Sequence, residues 1–356
     1  MEVRIEPLDT LFFRDGKPFS QGEETWADGY LLPPPSVIYG ALRTAIATQN
    51  GISFEDVGEK LGLQNFEILS IYIRMGDQLV LPLPMDLVEY DGKEKNIQHA
   101  EKEAKRYAVK PLVPSPVSNL TFSVQKNKAK YLLISPKGEK VENIEHGAIL
   151  ATELNKYLVG NLEQTEALKL TDYVQNEPKV GIGREDLTRF AEEGNLYRVD
   201  MKRGEDLQIG VAFKLTAYQH LSPVVQLGGE RKLALISSTR IPFSVAKQAI
   251  DFTGKRFKIY FATPAILKNG EPDLSRLGIS ATLVAACVGK SLSIGGFDMK
   301  NNRAKPMYRV VPAGSVFYYE AESDVSSLNG KQGTSLSDEQ REQGFGIAYF
   351  GIWNEQ

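Results

Sequence analysis

Cysteine and histidine are scarce: 356 residues carry one cysteine, Cys287, and three histidines, His99, His146 and His220. One cysteine allows no intrachain disulfide, rules out a cysteine-built zinc site, and fits a reducing cytoplasm. No histidine stands in an H-x-x-x-H arrangement, and the single H-x-E, His99-Ala100-Glu101, has no cysteine pair to complete a zinc site, so a histidine-based metal hydrolase is poorly supported and no metal site is expected. No apolar run reaches the length of a membrane span. The opening MEVRIEPLDTLFF has acidic residues and alternation where a secretory signal has a basic start and an apolar run. The formal net charge is −3, so any anion-binding surface must be a local patch hidden by the average.

Cofactor and nucleophile motifs are missing too. VGKS at 288–291 resembles the end of a phosphate-binding loop, but Val284 stands where the motif needs its first glycine. Gly181-x-Gly183 and Gly344-x-Gly346 fail as dinucleotide fingerprints, with Asp186 and Tyr349 in the third glycine's place. There is no G-x-S-x-G elbow, and Cys287 lies in an apolar run that suits a buried, inert thiol. No cofactor and no catalytic residue is nominated. His220, in AYQHLSP, is the one isolated candidate for a general acid or base; the alternative is a structural or surface histidine.

What is present is an ordinary globular balance, 42% hydrophobic and 24% charged, in a length that suits about two domains. Residues 1–13 alternate as a strand. LLPPPSVIYGALRTAIATQNG reads as a helix: prolines stop the preceding chain, Ser36 caps, and Val37, Ile38, Ala41, Leu42, Ala45 and Ile46 share one apolar face. FEILSIYIRMGDQLVLPLPMDLV reads as a strand pair around Gly76-Asp77, and AILATELNKYLVG as a second helix. The charged run 91–110 suits an exposed helix or a disordered insertion, and 323–343 a flexible loop. From about residue 195 strand-like runs dominate; ATLVAACV is either a strand or a buried helix. The class is α+β.

The positive signal is a set of glycine–cation loops. KVGIGRED places Gly181 and Gly183 beside Arg184, a pattern that can form an anion nest with a bidentate phosphate grip, or a plain turn with a solvated arginine. LGGERK repeats it with Gly228, Gly229 and Arg231. Residues 290–309 hold Lys290, Lys300, Arg303, Lys305 and Arg309 against Asp298 alone, after Gly295-Gly296. Phe297, Met299, Met307 and Tyr308 are interleaved and can stack on bases; the plainer reading is a hairpin tip with solvated lysines. Gly40 and Arg43 share a helix face, where Arg43 grips a phosphate or pairs with a carboxylate. The terminal GFGIAYFGIWN is a glycine–aromatic strand and turn.

In that order, LDTLFFRDGKPF, LLPPPSVIYGALRTAI, KVGIGRED, QLGGERKLA, SIGGFDMKNNRAKPMYRVVPAGSVFYYE and GFGIAYFGIWN resemble the third-subunit family of the Cmr effector complex. That complex is the type III-B CRISPR–Cas system, and the family belongs to the RAMP superfamily. The resemblance implies two ferredoxin-like (RRM-related) domains with glycine-rich loops and long insertions, here divided as 1–194 and 195–356. It implies a non-catalytic subunit that grips the 5′ tag of the CRISPR RNA. Its partners would be the large polymerase-like subunit and a neighbouring backbone subunit. RNA contact then falls to the glycine loops and their cations, with Arg14 and Lys17 of RDGKPF added. The alternative within the superfamily is a metal-independent endoribonuclease that processes precursor CRISPR RNA, and it turns on His220.

Overall fold

The computed structural model describes residues 1–14, 26–27, 29–53, 55–60, 66–90, 105–116, 131–135, 140–184, 191–216, 220–239, 243, 245–246, 249–252, 254–298 and 301–354. Lys17 and Lys300, together with 91–104 of the charged run, lie outside the described residues. Among the described residues no helix is long and apolar enough to cross a membrane.

The chain opens with β1 (Glu2–Pro7), α1 (Pro35–Gln49), β2 (Phe66–Met75) and β3 (Gln78–Pro82). It continues through β4 (Gly147–Leu150), α2 (Ala151–Leu158), the long pair β5 (Val174–Arg184) and β6 (Ala191–Gly204), β7 (Leu207–Leu215), β8 (Val224–Gln226) and β9 (Leu233–Ser238). The last part holds β10 (Arg256–Phe261), β11 (Ala281–Cys287), β12 (Leu292–Ile294), β13 (Phe297–Asp298), β14 (Arg303–Ala304), β15 (Tyr308–Val310), β16 (Val316–Ala321) and β17 (Ile347–Ile352). Strands outnumber helices, and the class is α+β as expected.

α1 forms for the reasons the sequence offers, with one adjustment. It starts at Pro35 rather than after Ser36, and no side chain caps it. Proline suits the first helical position because its missing N–H would have no partner there. Ile38, Ala41, Leu42, Ala45 and Ile46 are buried as the apolar spacing demands, while Val37 is only partly so. The β2–β3 pair turns on Gly76-Asp77, with Met75 opposite Gln78. The second predicted helix is shorter than its pattern: Gly147–Leu150 pairs as a strand with β3, and only Ala151–Leu158 is helical.

Two departures concern loops. Residues 323–343 form structure: Val325, Leu328 and Leu336 are fully buried, a 3₁₀ turn spans Ser326–Lys331, and Thr334–Ser335 pairs with β17. A few buried aliphatics outweigh the loop-like composition. Within the charged run, Tyr107–Pro111 is a strand.

Four strands of the large sheet lie in the order β9-β1-β7-β2, and four of the five-stranded sheet in the order β17-β10-β16-β11. Numbered along the chain within each group, both read 4-1-3-2, with antiparallel neighbours throughout. In the first group a long insertion, carrying β3 through β6, separates β2 from β7. The change of sheet falls between Ser238 and Arg256. One hydrophobic core runs through both sheets, from Ile5 and Leu42 to Phe257 and Phe350.

Where the sheets meet, Asp86 is fully buried. It accepts hydrogen bonds from Tyr157 on α2, at 2.9 and 2.7 Å, and from Tyr318 on β16. Lys258 on β10 is 5% exposed and lies 3.3 Å from the centre of the Tyr157 ring. Cys287, half-buried, donates to Met85 O at 3.2 Å. Burial, then the Asp86 charge, pushes its thiol up to about 12, which suits the inert role.

Candidate nucleic-acid interface

β5 and β6 form a hairpin of 11 and 14 residues whose register runs regularly from Val174–Gly204 to Ile182–Leu196. At about 3.3 Å per residue it is a long, solvent-facing arm. Val180 is 61% exposed on it.

The N-terminal segment holds its base. Leu11 exchanges backbone hydrogen bonds with Lys202 at 2.8 and 2.7 Å, and Phe12 packs on Val199 and Met201. The LGGERK loop closes from the other side: Gly229 N donates to Phe12 O at 2.9 Å. Gly228 has φ +78°, and a Cβ there would lie 2.5 Å from Phe12 O. Only glycine fits both the conformation and the approach.

Charges tie the same three segments. Asp9 accepts from Lys232 at 2.6 Å and from Arg203 at 3.1 Å, and Arg203 also pairs with Glu177. Lys179 on β5 meets Glu230 at 2.9 Å, and Arg198 meets Asp200 at 3.0 Å. The Lys232 hydrogen bond, with the Thr10 amide behind it, holds Asp9 down at about 2.

A second arm shares this root. β12 pairs with β15 and β13 with β14, so 292–298 and 301–310 pair as the two sides of the expected hairpin. Arg303, Lys305 and Arg309 are exposed, Arg309 donating to Ser291 Oγ at 3.1 Å. Phe297 and Met307 are 56% and 54% exposed. Ile294 and Val310 at its foot pack with Ile266 and Phe345. Tyr30 joins the arms: its N–H donates to Phe13 O at 2.8 Å, and its hydroxyl to Ser293 O.

The nominated residues divide accordingly. Arg14, Gly228, Gly229 and Arg231 sit at the junction; Arg14 is exposed with its backbone bridged to Gly29. Arg231 is exposed at φ +53° and makes no hydrogen bond or ion pair among the described residues. Gly181 pairs with Tyr197 in extended strand, and Gly183 falls at the register shift before Arg184, so this stretch is strand and not the expected nest. Gly295 and Gly296 have room: a Cβ would come no nearer than 3.8 and 3.5 Å to its neighbours. Arg43, partly buried, is paired with a backbone carbonyl and not with the carboxylate of the plainer reading. It donates to Val57 O at 3.0 Å and lies 5.4 Å from the Tyr39 ring centre, while its Nε is buried without a partner. Asp9, Phe12, Tyr30, Lys179, Lys202 and Arg203 were not nominated; the motif LDTLFF carried the only sign of Asp9 and Phe12.

His220 is exposed, and its backbone accepts from Asn50 beyond α1 at 3.1 Å. No group of three or more His, Cys, Asp or Glu among the described residues is placed to hold a metal.

Fold and site describe an α+β chain that raises two exposed hairpins from one N-terminal junction. Its sequence matches the family model described as CRISPR-associated protein (Cas_Cmr3) over residues 3–353, and the chain belongs to that family. No curated protein matches. Among solved structures, the chain is similar to one in the cryo-EM structure of the type III-B Cmr-beta bound to cognate target RNA. That likeness is 16% identical, covers 89% of this chain and 86% of the other, and has a TM-score of 0.49. A chain of the same assembly with target RNA and AMPPnP is 17% identical over 89% and 86%, TM-score 0.48. A chain of the Csm3–Csm4 subcomplex of the type III-A interference complex is 12% identical over 99% and 100%, TM-score 0.39.

Proposed function

We propose that this chain is a non-catalytic subunit of a type III-B CRISPR effector complex that holds the 5′ tag of the CRISPR RNA at the junction of its two arms. The observation that carries the reading is the convergence there of the N-terminal segment Asp9–Arg14, the loop LGGERK and Lys179 at the start of KVGIGRED, three stretches far apart in the chain. Family membership supports the setting. Most junction cations neutralise junction carboxylates, which fixes the frame; Arg231 and the exposed cations of the second hairpin are left to meet phosphates. The chain docks, on this reading, on the large polymerase-like subunit and a backbone neighbour. The repeated 4-1-3-2 strand order supports two ferredoxin-like RAMP units, divided after Ser238, with turns and loops replacing most crossover helices.

The test is binding of tag-bearing against tagless CRISPR RNA by the chain assembled with its partner subunit, across a salt series. Preference for the tag and a steep fall with salt are expected, because phosphate contacts release counterions. Equal binding of the two RNAs would sink the reading. Metal-independent cleavage of precursor RNA, lost in His220→Ala, would replace it with the endoribonuclease.

A further inference from the structure

β11 is an edge. It pairs with β16 on one side and with no strand on the other among the described residues; the strand Tyr131–Ile134, which pairs with Val113–Pro116, packs near β11 without pairing with it. Such an edge offers a row of backbone N–H and C=O groups to another strand. Beside it lies an open groove of about 970 Å³. The groove is lined by every residue from Ile279 to Ala286, by the β10–β11 crossover, and by Tyr319. Side chains of a strand alternate between faces, so a lining of consecutive residues means that the groove follows the strand's edge.

Three features select an occupant. Tyr319 on β16 is 2% exposed, and its hydroxyl is buried with no hydrogen-bond partner. The cations of the rim are already used: Arg276 donates to Ser337 O at 2.7 Å and to Asp338 at 3.1 Å, and Lys268 pairs with Glu339 at 3.1 Å. With Glu271 and Asp273 also on the wall, a polyanion is disfavoured. A bulge at Val284 interrupts the row, which works against self-pairing of two copies.

We infer that β11 accepts an extended, uncharged segment of a neighbouring protein subunit as an added strand, one of whose polar side chains partners the Tyr319 hydroxyl. At about 3.3 Å per residue, β11 spans five or six residues of such a segment. This inference rests on the reading that the chain works inside a complex.

Hydrogen exchange over residues 279–287 tests it, in the isolated chain, in the chain with tagged RNA alone, and in the purified effector complex. The amides facing away from β16 are expected to exchange quickly in the first two and at least tenfold more slowly in the complex. Tyr319→Phe keeps the ring and its packing. It should leave the free chain equally stable and speed exchange of these amides in the complex at least fivefold. An intact, RNA-loaded complex with β11 unprotected overturns the strand addition and leaves the RNA reading standing. Protection by RNA alone, or a Tyr319→Phe complex that exchanges like the wild type, also overturns it. A chain that never assembles overturns both readings.

Discussion

Replacing Lys258 by methionine should abolish one limb of the protein's pH–stability profile. Lys258 is 5% exposed, and desolvation pushes its ammonium down to about 8 from 10.5, against the pull of Asp86. Below pH 8 both folded and unfolded chains hold this proton, and the group gives no slope. Between about 8 and 10.5 the unfolded chain holds it and the folded chain does not, so stability rises with pH. At about 1.4 kcal/mol per unit the whole limb is worth roughly 3 kcal/mol, of which about 2 is recovered by pH 9.5. Groups with raised values oppose it at higher pH: burial lifts Cys287 from 9.0 to about 12, and Tyr157 and Tyr318 well above 10.0. Those groups are present in both proteins, so the comparison cancels them. Urea unfolding of wild type and Lys258→Met at steps from pH 7.5 to 9.5 measures the difference. It should move by about 2 kcal/mol in favour of the wild type. Parallel profiles would refute the claim that Lys258 is charged and desolvated inside the fold.

Gly228→Ala forces a left-handed alanine whose Cβ lies 2.5 Å from Phe12 O, and should cost about 2–4 kcal/mol in unfolding free energy; a change under about 0.5 would refute the close approach. Arg231→Glu should leave thermal stability within about 0.5 kcal/mol, weaken tagged-RNA binding several-fold, and lower the salt slope by about one contact. Asp9 has a folded value near 2 against 3.8, so its contribution is present above pH 4 and is lost as pH falls toward 2. Acid titration of Asp9→Asn, followed by fluorescence, should lack that part of the loss; an unchanged acid limb counts against the Lys232–Asp9–Arg203 link.

Much of the local structure was legible. α1, the Gly76-Asp77 turn and the basic hairpin at 292–310 each depend on neighbours within a few residues. The glycines of LGGERK stood out, but what they approach did not, since Phe12 lies more than 200 residues away. Sequence showed a charge and a spacing at Arg43, which suit a phosphate or a carboxylate, but not the carbonyl of Val57 that it bonds. Residues 323–343 read as a loop by composition, and three buried aliphatics decided otherwise.

The sequence by itself determined the α+β class, the ordered motifs of the family and the basic hairpin, because these rest on local periodicity, turn chemistry and residue order. Tertiary structure alone decided that β7 and β9 flank β1, that the N-terminal segment and the LGGERK loop meet at one hairpin base, and that Lys258 and Asp86 are buried together. Those outcomes depend on pairings across more than 150 residues and on desolvation, and neither leaves a mark in a short window of sequence.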